Sequence, residues 1–270
     1  MISGAGIHVA KPGPARRNRS RAYQRAYQGL LAEAGLHRML AQGFSYPDQS
    51  TIEFVRTTAL DLISATARGE LPRLLQAPLR ALLRAWRRAG EGELREEHSR
   101  LFLGNGLVPL REGGYGGGSR FAGQPVDIAD ISGFYLAFGF DVTEGSPVPP
   151  DHLGAELEFL SLLLLKKAQR LRKGSVLEVR TVDRARRLFL NDHLGRWADA
   201  LAKALRDASS APPYATLGEL LRATIALECR ELHIKPLAAG RSVLEDQVLA
   251  DTFVCPLAEL ERPARAGGPR

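Results

Sequence analysis

Cysteine is almost absent from this sequence: Cys229 and Cys255 are the only two in 270 residues. That is too few for a disulfide framework and too few for an all-cysteine zinc or iron–sulfur centre. A reducing compartment is the simpler expectation. Long apolar runs are missing as well. The longest, Phe159 to Leu165 with Ser161 inside it, spans seven residues, whereas a transmembrane helix needs about 20. The basic N-terminus is not followed by the apolar stretch and cleavage site of an export signal, so the chain reads as cytoplasmic, with no stable membrane insertion. Strongly alternating polar and apolar segments, the mark of half-buried strands, are nowhere found.

Acidic residues are lacking at the N-terminus. Lys11, Arg16, Arg17, Arg19, Arg21 and Arg25 all precede Glu33, the first of them, and Arg262, Arg265 and Arg270 lie in the C-terminal tail. The net charge of +7, from 37 basic and 30 acidic residues, therefore resides in the ends, and the body is slightly acidic. A basic arm can contact phosphates, but charge runs are usually solvated, and the near-neutral body argues against nucleic acid as a partner. Residues 1–21, rich in Gly, Pro and Arg, read as a disordered basic arm, and 262–270 as a disordered tail.

What is present between these ends is helical spacing, over a 44% hydrophobic, 25% charged composition typical of a globular protein. Apolar residues recur at threes and fours over Tyr23–Leu40, Ile52–Ala67, Leu71–Ala89, Glu93–Leu103, Val126–Phe138, Pro149–Leu165, Arg180–Asp207 and Leu217–Ile234. In the second half of this set Leu188, Leu190, Leu194, Trp197 and Leu201 read as core. The fold class is all-α: a single helical domain over 22–261, of about eight helices in two groups, 22–103 and 124–261. The loop 104–123 joins them, and eight of its twenty residues are glycine. Glycines can cradle a phosphate, but no GK[ST] ending and no preceding strand accompany these, so the loop reads as a hinge.

The stretch PPDHLGAELEF, starting at Pro149, carries the most distinctive chemistry. Asp151 has the character of a helix N-cap. His152 and Glu156, four apart, share a helical face beside Leu153, Leu157, Leu160 and Leu164. Such a pair suits a surface contact, acid–base work, metal binding or the grip of a cationic group. No histidine has a glutamate three residues before it, which weakens a helical metal-enzyme reading. Cys229 and His233, also at helical spacing, read as core. A helical metal- or nucleotide-dependent hydrolase using His152 and Glu156 is the alternative to a helical binding protein.

Four segments, EHSRLFLG (97–104), VPLREGGY (108–115), DIADISGFYLAFGF (127–140) and PPDHLGAELEFLSLLL (149–164), together resemble the TorD/DmsD/NarJ family of cytoplasmic chaperones for molybdoenzymes. The later FLNDHLGRW is similar to a further segment of that family. The resemblance covers about 100 to 200 and implies an all-α, non-enzymatic chaperone with no cofactor of its own. Its partners would be the twin-arginine signal peptide and the apo catalytic subunit of a molybdopterin oxidoreductase of the DMSO-reductase class. It would assist insertion of the partner's cofactor and prevent premature export.

The peptide-binding residues that carry over are Leu101, Phe102, Pro109, Glu112, Tyr115, Pro150, Asp151, His152 and Glu156. In that scheme Asp151 and Glu156 attract the arginines, His152 fixes local geometry, and Leu101, Phe102 and Tyr115 meet the apolar part. Leu110 stands where many relatives have an aromatic residue. The glycine-rich GGYGGG would suit either a monomer or a dimer formed by exchange of halves.

Overall fold

The structure, a computed structural model, describes residues 14–115, 124–140 and 148–238. Nine α-helices and no strand occur among them: α1 (Pro14–Gly43), α2 (Gln49–Arg68), α3 (Gln76–Arg88), α4 (Glu91–Phe102), α5 (Gln124–Ala137), α6 (Leu153–Lys173), α7 (Val176–Asp192), α8 (Leu194–Ala208) and α9 (Pro212–Glu231). The fold is all-α. The first helix reaches into the stretch read as a basic arm. The rest of that arm, the glycine run after Tyr115, Cys255 and the C-terminal tail lie outside the described residues.

Local chemistry fixes the helix ends. Asp48 caps α2 by accepting from the Thr51 N–H at 2.7 Å. Gly174, at φ +74°, closes α6 in the left-handed conformation that favours glycine. The expected helix over 180–207 is two helices. The chain turns at His193 (φ −125°, ψ −107°), which ends α7 and begins α8. A Cβ at Gly195 would press into the Leu190 carbonyl and the Pro236 ring, so this turn needs glycine. The apolar spacing runs on through the break, which is why periodicity alone misses it. Leu188, expected in the core, is 40% exposed. The buried stripe of α7 is Val182, Ala185, Arg186, Phe189 and Leu190, and position 188 falls beside it.

Both groups of helices contribute to one core. Leu36, Met39 and Leu40 of α1 belong to the same buried cluster as Trp86 of α3, Leu157 and Leu160 of α6, Phe189 of α7, Trp197 of α8 and Leu217 of α9. Each such leucine stabilises the fold by about 1.5–3 kcal/mol when fully buried. The helix α6 lies along α1, with Leu30 and Ala34 against Leu164 and Ala168. Along this seam the Ser161 hydroxyl donates to the Ala34 carbonyl at 2.9 Å. A buried ionic group joins α1, α7 and α9: Glu228 lies 2.8 Å from His37 and 3.0 Å from the fully buried Arg186. Desolvation opposes the charge on Glu228, but His37 and Arg186 overcome it and lower its pKa to about 2.

His233, expected on the helical face of Cys229, lies past the end of α9 with φ +54°. Burial pushes the half-buried Cys229 thiol up to about 11. No helix among the described residues is long and apolar enough to cross a membrane.

Candidate functional site

Four segments far apart in sequence meet at the start of α6: the loop 108–115, α5, the turn 149–152 and the α7–α8 junction. The loop and the turn are joined by a single antiparallel bridge between Arg111 and His152. In it the Glu112 N–H donates to the Asp151 carbonyl, and the Leu153 N–H to that of Leu110, both at 2.9 Å. Tyr135 of α5 supports the turn by donating its hydroxyl to the Pro150 carbonyl at 2.9 Å. Tyr115 braces the loop by donating to the Pro109 carbonyl at 2.9 Å, and its ring stacks on Trp197 of α8 at 5.3 Å. Burial raises the pKa of both tyrosines, so both remain hydroxyl donors.

Asp151 is not the N-cap of α6. Its carboxylate turns to Arg111 instead, with the guanidinium Nε at 3.0 Å and a second nitrogen also at 3.0 Å. The cap falls to His152, whose Nδ1 accepts from the Gly154 N–H at 3.0 Å. Desolvation lowers the His152 pKa, consistent with the neutral ring that a nitrogen acceptor requires. The side chains of His152 and Glu156 form no ion pair, because the histidine precedes the first helical turn and its ring folds back onto the cap; the two residues meet through the backbone, where the Glu156 N–H donates to the His152 carbonyl at 3.1 Å.

Glu156 faces inward and is fully buried. Neither carboxyl oxygen has a well-formed hydrogen bond; the Trp197 Nε1–H faces the group without closing one. Desolvation first, then the nearby Glu112 and Asp151, raise its pKa well above the usual carboxylate range. Glu112 is buried beside it and lies 3.1 Å from Nδ1 of His193. The other nitrogen of His193 is 3.1 Å from Asp130 of α5, whose side chain is 58% exposed. Burial lowers the pKa of His193, but these two carboxylates outweigh it and raise the value above the ordinary one. When protonated, the ring bridges them as a double donor.

The result is a graded site. Arg111 and Asp130 lie at the rim, with Asp151, Glu112 and His193 below them and Glu156, Tyr115 and Trp197 at the floor. Four carboxyl groups face one guanidinium and one imidazole. Seven of the expected residues, Pro109, Glu112, Tyr115, Pro150, Asp151, His152 and Glu156, gather here. Leu101 and Phe102 stand apart. Leu101 is buried and accepts the Val108 N–H at 2.9 Å, while Phe102 meets the rings of Phe44, His98 and Tyr214.

Sequence reasoning did not single out Arg111, Asp130, His193 or Trp197 as site residues. Each sits within a recognisable segment, but only tertiary packing brings them together. Among the described residues no group of three or more His, Cys, Asp or Glu side chains is arranged to hold a metal ion.

The fold and this cluster define a helical protein whose most elaborate polar site is acidic, half-sealed and flanked by aromatic rings. Residues 68–203 match the model of the nitrate reductase delta subunit family, and the chain belongs to that family. The matched stretch contains every segment of the cluster. Over 100 residues the chain is 35% identical to the selenate reductase assembly chaperone protein of Thauera selenatis. That alignment covers 36% of this chain and 50% of the relative, so the chain spans about half the length of the curated relative it matches. Among solved structures, a candidate redox enzyme maturation protein from Archaeoglobus fulgidus is 19% identical, with a TM-score of 0.46, over 72% of this chain and 93% of that one.

Proposed function

We propose that the protein is an assembly chaperone for a molybdoenzyme, binding the twin-arginine signal peptide and the apo catalytic subunit while the partner's cofactor is inserted. Family membership and the name of the selenate reductase relative support the class. The observation that carries the peptide-binding part is the convergence of four motif segments on one acidic cluster. A peptide with two adjacent arginines and an apolar segment matches carboxylates beside aromatic and aliphatic side chains. In this reading Asp151, Glu112 and Asp130 meet the cations, and Pro109, Pro150 and His152 form the rim. Tyr115 and Glu156, both fully buried, shape the site from beneath, and Leu101 and Phe102 lie outside it.

We read the molecule as a binding protein rather than as a hydrolase built on His152 and Glu156. One histidine nitrogen is committed to the helix cap, and the carboxyl is sealed from water, so the two are not an acid–base couple open to a substrate. The test is calorimetric titration with a synthetic paired-arginine peptide and a counterpart in which both arginines are glutamine. A loss of at least tenfold in affinity for the second is expected; equal affinities would sink the assignment of this site.

A further inference from the structure

Asp151 is the carboxylate of the site whose cationic partner comes from outside the core. Its side chain is 5% exposed, whereas that of Arg111 is 50% exposed and lies over it from the solvent side. The backbone of residue 111 is held by the bridge to His152 and the flanking hydrogen bonds. Among the described residues the guanidinium is held only by Asp151, at the end of a long rotatable stem. Without it Asp151 would stand nearly dehydrated next to Glu112 and Glu156, an arrangement that burial opposes. A cationic ligand that reaches Asp151 must therefore take the place of a cation already there.

We propose that Arg111 is the resident ligand of the site, an internal guanidinium that fills Asp151 until an arginine of the bound peptide displaces it. This rests on the reading of the cluster as a receptor for a paired-arginine peptide. The exchange is of like for like, so a lone arginine gains almost nothing from it. Net binding has to come from the second cation and the apolar segment, and the site thereby discriminates against isolated arginines on other chains. A lysine is disfavoured further, because one ammonium cannot reproduce the two-nitrogen contact that Arg111 makes.

The experiment titrates the full chain, as wild type, R111Q, D151N and the double variant, with the paired-arginine peptide and its glutamine counterpart. R111Q is expected to bind the arginine peptide about fivefold more tightly, the equivalent of one partly exposed ion pair. D151N is expected to bind it less tightly, and Arg111→Gln should have no effect once Asp151 is asparagine. In the wild type the Arg111 Nε–H resonance, identified by its loss in the charge-keeping variant R111K, should move to the position of a free arginine as peptide saturates the site. That titration decides the matter alone if R111Q does not fold.

An unchanged or weaker affinity in R111Q, with D151N still impaired, would overturn the resident-ligand proposal and leave the peptide site standing. So would an Nε–H resonance that stays put at saturation. Equal binding of the two peptides by all four proteins would remove the peptide site and the proposal together.

Discussion

Glu156 is cut off from water, with two acidic neighbours and only an indole N–H facing it. An ionised carboxylate there is costly, and the fold responds by keeping the proton. The sign of the consequence is fixed by linkage. The folded pKa lies above the unfolded one, so in the interval between them the folded state binds the extra proton, and stability falls as pH rises through it. Replacing Glu156 by Gln keeps the shape and removes the ionisation. The variant should melt at a higher temperature than wild type at neutral pH, and the decline from about pH 4.5 upward should flatten. Thermal unfolding followed by circular dichroism from acid to neutral pH checks this, and an unchanged slope would count against a proton on Glu156.

His193 acts in the same direction, for a different reason. Its folded pKa is raised despite burial, by Glu112 and Asp130, so its stabilisation is complete below the unfolded value near about 6.5 and is lost as pH rises through the folded one. The two groups thus both favour the slightly acid side of neutrality. Neither role was readable from the residue types: a glutamate one turn into a helix looks like a surface residue until the packing of α8 covers it.

At the scale of elements, what was legible is what depends on neighbours in sequence. The apolar spacing located every helical stretch, α7 and α8 as one, because each buries a continuous stripe, and Asp48 begins and Gly174 ends its helix by interactions within a few residues. The α7–α8 break escaped because Leu190, Leu194, Trp197 and Leu201 stay at helical intervals across it, all buried. What makes the turn is the close approach of Gly195 to the Leu190 carbonyl and Pro236, contacts that spacing does not encode. Likewise Asp151 was drawn away from its cap by Arg111, forty residues earlier in the chain. A single methyl at the turn tests its importance. Gly195→Ala should cost about 1–3 kcal/mol through overpacking, measured as a shift in the urea midpoint. It should also displace His193 from Glu112 and Asp130, which would appear as a lowered histidine pKa in NMR titration.

For the whole molecule, the single core makes a statement about cooperativity. The tryptophans lie in different groups of helices, Trp86 in α3 and Trp197 in α8, and both are fully buried. If the two groups were independent units, single-tryptophan variants W86F and W197F would report different transitions. Because α1 lies along α6 and all these helices share one buried cluster, within each variant the fluorescence of the remaining tryptophan and the helical circular dichroism should give the same midpoint and slope in denaturant. Separate midpoints would show that the groups unfold independently.

The buried group around Arg186 bears on descent as well as on folding. Arg186 and Glu228 lie on different helices, with His37 on a third, and Glu228 pairs with both of the others in a space closed to water. A change at one of these positions strands a charge at another, by about 3–5 kcal/mol. Apolar replacement of the whole set is far easier to tolerate. Drift at these three sites is therefore expected to be concerted, with related sequences either keeping the trio or having exchanged it together.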